Sequence, residues 1–275
     1  MKPTVLELRR KKGARLAMLT AYDFPSARLV AEAGIELILV GDSLGMVVLG
    51  YGSTLPVTMD DMVHHTKATR RGAPEAFVIA DLPFLSYGTP EQALANAARL
   101  MKEAGADSVK LEGGAEIVPI VEALARAGVP VLGHVGLTPQ TASALGGYKL
   151  QGKDEENARR IMEGAQALER AGCWGVVLEL VPSPLARLVT ERIAVPTIGI
   201  GAGAHCDGQV LVFHDLVGLF AGFTPSFVKR YAEAGAAIRD AVARYAADVR
   251  NGSFPAEGQS FGMKDEVLKR VMESG

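Results

Sequence analysis

Run after run of four or five almost wholly apolar residues ends on an ionisable side chain, and longer segments of helical periodicity lie between the runs. Residues 37–40 (LILV) are bounded by Gly41 and lead into Asp42-Ser43. Residues 77–80 (FVIA) lead into Asp81, 108–112 (SVKLE) contain Lys110 and Glu112, 129–134 (VPVLGH) end on His134, and 175–179 (GVVLE) end on Glu179. Short continuous apolar runs bounded by turn residues read as strands buried on both faces, the habit of parallel sheets. Residues 16–20, 196–200 and 209–213 complete a set of about eight. Helical patterns intervene at 24–33, 58–71, 89–104, 115–127, 154–171 and 183–193, with Thr58 placed as a cap and Thr89-Pro90 as a helix opening. Eight strands alternating with helices predict the α/β class and a (β/α)8 TIM-type barrel over residues 1–253, a single domain with extra C-terminal helices. A helix at 227–249 and another at 263–272 are expected, the tail 254–275 packing on the barrel or on a neighbouring subunit. An open doubly wound sheet is the alternative. If it bound a dinucleotide it would want a glycine fingerprint after the first strand, where AYDFPSA stands.

Composition narrows the function classes. A formal net charge of −2 argues against nucleic-acid or membrane-surface binding through bulk charge, and no apolar run reaches spanning length. The basic N-terminal stretch lacks an apolar core and a cleavage site of the signal-peptide kind. Cys173 and Cys206 have neither metal-ligand nor redox spacing, which suits two reduced thiols in a cytoplasmic protein.

In such a barrel the C-terminal strand ends share one face, and active sites sit there. Asp42, Asp81, Lys110, Glu112, His134 and Glu179 would therefore meet. Three crowded carboxylates raise one another's pKa unless a cation joins them. A hard, oxygen-preferring ion such as Mg²⁺ suits Asp42 and Asp81, with Glu112 beside or behind them. Lys110 reads as an anchor for an anionic substrate or, equally, as a salt-bridge partner of a carboxylate. Glu179, across the mouth, is a candidate general base, or else a cap on the next helix. His134 reads as a hydrogen-bonding partner of substrate or of metal-bound water, or equally as a satisfied structural histidine. Residues 199–203 (GIGAG) suit a phosphate-binding loop or a tight turn beneath a substrate, and His64 and His65 read as solvent- or interface-facing on a helix.

The motifs carrying these residues are TAYD (20–23), VGDSLGM (40–46), LPVT (55–58), ADLPF (80–84), KLEGG (110–114), GHVGLTPQ (133–140), GGYK (146–149), GIGAG (199–203) and DGQ (207–209). Together they resemble the ketopantoate hydroxymethyltransferase family. The resemblance implies a Mg²⁺ site at Asp42 and Asp81 with Glu112 close by, a keto acid contacting Asp42, Ser43, Asp81 and Lys110, and Glu179 as proton acceptor. It implies transfer of a one-carbon unit from methylenetetrahydrofolate to 3-methyl-2-oxobutanoate, giving 2-dehydropantoate in pantothenate biosynthesis, by a homo-oligomer of the decameric, pentamer-of-dimers kind. Two features depart from the family pattern: Gln259-Ser260-Phe261 stands where a His-Ser-Phe is common, and a tail, 262–275, comes after it. Two rival readings are a Mg²⁺-dependent lyase or mutase on a related barrel, whose usual Cys-Gly loop motif is absent here, and a non-catalytic barrel that binds a keto acid or folate.

Overall fold

A computed structural model describes residues 2–143 and 146–274; positions 144 and 145, inside the expected loop 135–152, and Gly275 of the expected tail lie outside them. The apolar runs become β1 (Leu16–Thr20), β2 (Leu37–Val40), β3 (Phe77–Asp81), β4 (Ser108–Glu112), β5 (Val131–Gly136), β6 (Gly175–Glu179), β7 (Thr197–Ile200) and β8 (Gly208–Leu211). All neighbours pair in parallel and β8 pairs back onto β1, so the sheet closes as an eight-stranded barrel. The helices are α1 (Val5–Arg10), α2 (Phe24–Glu32), α3 (Leu44–Val47), α4 (Met59–Gly72), α5 (Pro90–Ala98), α6 (Val118–Arg126), α7 (Glu155–Ala171), α8 (Ser183–Arg192), α9 (Phe213–Leu216), α10 (Ala234–Asn251) and α11 (Asp265–Glu273). Capping follows the sequence: the Thr58 hydroxyl accepts from Asp61 N–H while the Asp61 carboxylate accepts from Thr58 N–H.

Strand periodicity divides the apolar residues into two cores. Ile38, Val40, Val78, Ala80, Val109 and Leu111 face the helices. Leu16, Met18, Leu37, Leu39, Phe77, Ile79, Leu132, Val177, Ile198 and Val210 fill the barrel, joined by Trp174 and by Leu8 from α1. Leu8 is fully buried, a contribution of about 1.5–3 kcal/mol. Trp174 donates its Nε1–H to Ser108 Oγ at 2.9 Å and packs edge-on against Phe77. These side chains fill the barrel interior toward its N-terminal end.

The C-terminal part differs from expectation. The helix anticipated over 227–249 begins only at Ala234. The preceding stretch is drawn back to the end of α9, Tyr231 N–H donating to Leu216 O and Ala234 N–H to Val217 O. Backbone groups engaged this way cannot close helical turns. The tail does form a helix, α11, and every described residue from 252 onward is exposed.

Candidate active site

The same two-residue period that fills the barrel decides which strand-end groups enter it. Phe77, Ile79 and Asp81 alternate inward along β3, as do Ser108, Lys110 and Glu112 along β4, Leu132 and His134 along β5, and Val177 and Glu179 along β6. Register sets the neighbours: Asp81 lies beside Lys110, Glu112 beside His134, and Gly136 beside Glu179. Asp42 and Ser43 enter from the turn between β2 and α3. All seven side chains expected from the sequence, Asp42, Ser43, Asp81, Lys110, Glu112, His134 and Glu179, line one cavity of about 460 Å³.

Asp42, Asp81, Glu112 and Glu179 there face one ammonium. Lys110 Nζ lies 2.8 Å from Asp81 Oδ1. Burial alone would depress the Lys110 pKa, but Asp81, Glu112 and Asp42 outweigh it and hold the ammonium charged. Lys110 is thus the ion-pair partner that was one of its alternatives, and it also lines the cavity. Asp42 N–H donates to Asp81 Oδ2 at 3.0 Å, which holds the two acidic residues together. Burial first, and the Asp81 charge second, push the Asp42 carboxyl up to about 7, against the pull of Lys110 and of a Gln140 hydrogen bond. Glu112 is driven well above the usual carboxylate range by burial and by Asp42.

His134 is not the satisfied structural histidine that was its alternative. Its Nδ1 lies 3.6 Å from Glu112 Oε1 and its Nε2 3.3 Å from Glu179 Oε2. Neither nitrogen completes a hydrogen bond among the described residues. Burial lowers its pKa, favouring a neutral ring between two carboxylates. Glu179 keeps more contact with the cavity than its neighbours, its side chain being 17% exposed against 2% for Glu112. Leu180, directly after it, stands at φ +46°, the left-handed region that side chains rarely adopt and that concentrates at functional sites. Gly136, at φ +98°, approaches so closely that a Cβ there would lie 2.3 Å from Glu179 O.

The residues fit a divalent ion. Asp81 Oδ1 is buried and, despite the nearby Lys110, has no hydrogen bond of good geometry. The excess of carboxylates is an uncompensated negative charge, and oxygen donors suit a hard cation. No three of the described His, Cys, Asp and Glu side chains form a group that could itself hold a metal. Glu112 Oε2 accepts from Gln140 N–H at 3.0 Å, and its Oε1 faces His134. Asp42 and Asp81 are thus tied to each other, while Glu112 beside them is turned to Gln140 and His134.

From the sequence Gln140 is only the last residue of the motif GHVGLTPQ, without a role of its own. It sits in the turn Pro139–Thr141 and donates Nε2–H to Asp42 Oδ2 at 2.8 Å and to Leu82 O. Its Oε1 accepts from Tyr87 OH at 2.6 Å, which orients the amide so that its NH₂ faces Asp42. Tyr22 OH pairs with Ser43 Oγ at 2.8 Å and orients that hydroxyl. No spacing rule announces either contact, because both join residues far apart in the chain. His65, expected to face solvent or an interface, instead lies within 2.6 Å of Tyr22 O through Nδ1, while His64 is exposed. The 199–203 glycines make a tightly packed turn, a Cβ at Gly201 meeting Leu180 and Phe227, and one at Gly203 meeting Ser183.

Comparison with known proteins accords with this geometry. The sequence profile of the ketopantoate hydroxymethyltransferase family matches residues 2–257. The chain is 65% identical to a 3-methyl-2-oxobutanoate hydroxymethyltransferase of Thermus thermophilus over 95% of this chain and all of that one. It is 58% identical to the enzyme of the same name from Deinococcus radiodurans, over 94% of this chain and 92% of that one. Among solved structures it is similar in fold to oxaloacetate acetylhydrolase with oxalate (TM-score 0.60, 13% identity, 98% of each chain). It is likewise similar to 2,3-dimethylmalate lyase (TM-score 0.57, 18% identity, 99% of this chain and 95% of that one). With its barrel, its strand-end carboxylates and a match along nearly its whole length, this chain belongs to the ketopantoate hydroxymethyltransferase family.

Proposed function

We propose that this chain transfers a hydroxymethyl group from methylenetetrahydrofolate to 3-methyl-2-oxobutanoate, giving 2-dehydropantoate, with Mg²⁺ held by Asp42 and Asp81. One observation carries the reading: a carboxylate pair short of positive charge and a separate, more accessible carboxylate, Glu179, line the same cavity. A bound ion would polarise the keto group and draw off the charge that builds on its oxygen, a stabilisation of roughly several kcal/mol. Lys110, held charged beside Asp81, attracts the substrate carboxylate. Ser43, oriented by Tyr22, supplies a further polar contact.

Glu179 accepts the C3 proton. His134, neutral and 3.3 Å from Glu179 Oε2, places no positive charge beside that carboxylate and so does not weaken it as a base. Water adds to the folate-derived iminium and tetrahydrofolate leaves as the amine, giving formaldehyde, whose carbon the enolate attacks; the new alkoxide takes up a proton and becomes the hydroxymethyl group. The names of the curated relatives favour this chemistry over the lyase or mutase reading. The burial of unpaired donors and acceptors, costly in a passive scaffold, disfavours the non-catalytic one.

We also read the protein as a homo-oligomer, of the decameric kind the family resemblance implies. On α10, Ile238, Val242, Tyr245 and Val249 form an exposed apolar stripe, and on α11 so do Val267, Leu268, Val271 and Met272. Such faces ask for cover, and a neighbouring subunit would provide it, with the tail 254–275 as a contact segment. No helix among the described residues is long and apolar enough to cross a membrane. The two free, buried thiols accord with a cytoplasmic enzyme.

The test is product formation from the two substrates with Mg²⁺ and with chelator, together with deuterium exchange at C3 of the keto acid in heavy water without folate. Chelation should abolish both activities, and Glu179→Gln should slow exchange by at least about a hundredfold. Exchange at the wild-type rate in the variant would remove Glu179 from its role.

A further inference from the structure

The cavity extends well past the strand-end groups. Its far wall is apolar and comes from the segment after β8, where Val212, Phe220, Phe223, Pro225, Phe227 and Val228 line it. One carboxylate interrupts that wall. Asp215, on α9, lines the cavity and is only 8% exposed, and its Oδ1 has no hydrogen-bond partner among the described residues. Arg230 acts on it only through its charge. The guanidinium is bonded instead to Thr224 Oγ1 at 2.5 Å and lies 3.6 Å from Glu233. A buried carboxylate without donors is unfavourable unless something supplies them, and burial accordingly raises its pKa. Phe223, which lines the same cavity, is 84% exposed, an aromatic face with little to stack on.

Asp215 therefore asks for a ligand edge with adjacent N–H donors on a flat ring. A keto acid, which only accepts, is repelled by it, as is the glutamate end of a folate. The aminopyrimidinone edge of a pterin fits: its ring N–H and exocyclic amino group point the same way, as a guanidinium's donors do toward a carboxylate. The ring would lie against aromatic side chains. We propose that Asp215 is the pterin-binding carboxylate of the folate subsite, with Phe220 and Phe223 flanking the ring. This rests on the folate-donor reading above.

The test uses the full-length enzyme with Mg²⁺, as wild type, Asp215→Asn and Asp215→Ala. It measures KM for methylenetetrahydrofolate, KM for the keto acid, and folate-free exchange at C3. It also compares binding of tetrahydropterin with that of the analogue whose 2-amino group is replaced by oxo. Losing a paired, charge-assisted contact should raise the folate KM about 10- to 100-fold. The keto acid KM and the exchange rate, which involve no pterin, should stay within about twofold and so report intact folding. Wild type should prefer the 2-amino compound, and Asp215→Asn should lose that preference. A variant whose folate KM and 2-amino preference match wild type overturns the assignment while leaving the folate-donor reading in place. Keto acid KM and exchange that worsen as much as the folate KM make Asp215 a structural residue and overturn it too. A wild-type enzyme that exchanges C3 but transfers nothing from the folate defeats the donor reading itself.

Discussion

Removing the metal should make stability fall with rising pH, and the size of the effect can be worked from Asp42. Its carboxyl, ordinarily near 3.8, is pushed up to about 7 by burial and by Asp81. An acid that is harder to ionise in the folded state binds its proton there when the unfolded chain has lost it. Its stabilisation is complete below 3.8 and is lost as pH rises through about 7. At ~1.4 kcal/mol per pH unit of displacement, the ceiling is about 4 kcal/mol, and at about 2 °C per kcal/mol for a chain of this size, about 8 °C in Tm. His134 works the other way: burial lowers its pKa, so its contribution grows as pH rises. The comparison must therefore isolate Asp42, and Asp42→Asn, which mimics the protonated acid, does so. Differential scanning fluorimetry in chelator between pH 5 and 8 should show wild-type Tm falling by several degrees relative to Asp42→Asn. Saturating Mg²⁺ should restore wild type more at pH 8 than at pH 5, because at pH 5 the ion must first displace a proton. Parallel pH profiles for wild type and variant in chelator, with one Mg²⁺ increment at both ends, would refute the argument that unpaired negative charge defines this site.

Two further perturbations act on single contacts of the site. Gln140→Met keeps the side chain's length but removes the donor to Asp42 and the acceptor for Tyr87. It should cost about 1.5–3 kcal/mol in stability and weaken Mg²⁺ binding, followed by calorimetry, roughly 10- to 100-fold, and Mg²⁺ affinity equal to wild type would show that the amide does not hold Asp42. Gly136→Ala would place a Cβ 2.3 Å from Glu179 O, a backbone contact that cannot yield, at φ +98°. A denaturant midpoint lowered by well over 1 kcal/mol is expected, with C3 exchange reduced about a hundredfold as Glu179 shifts; an unchanged exchange rate would show that the close approach does not position the base.

The strands and the inward set of polar residues were legible because both are local. An apolar run of four or five residues bounded by turn residues is too short for most helices and reads as a buried strand, and alternation along SVKLE sends Lys110 and Glu112 to the same side whatever lies around them. The strand-end residues could be named from that alternation without knowing their neighbours. What the chain order could not express is who meets whom. The pairing of Asp81 with Lys110 and of Glu112 with His134 comes from register between strands. The turn of Glu112 away from the ion pair comes from Gln140, whose amide bonds cross 98 residues to Asp42. The late start of α10 reflects backbone bonds from the 227–233 stretch back to the segment around α9, which outweigh a helix propensity that is weak by comparison. Asp215 carried no pattern at all, because a carboxylate becomes notable only when its surroundings withhold both water and donors. Periodicity along one strand is written in adjacent residues, whereas register, burial and partnership are properties of the closed barrel and exist only once the ends have come together.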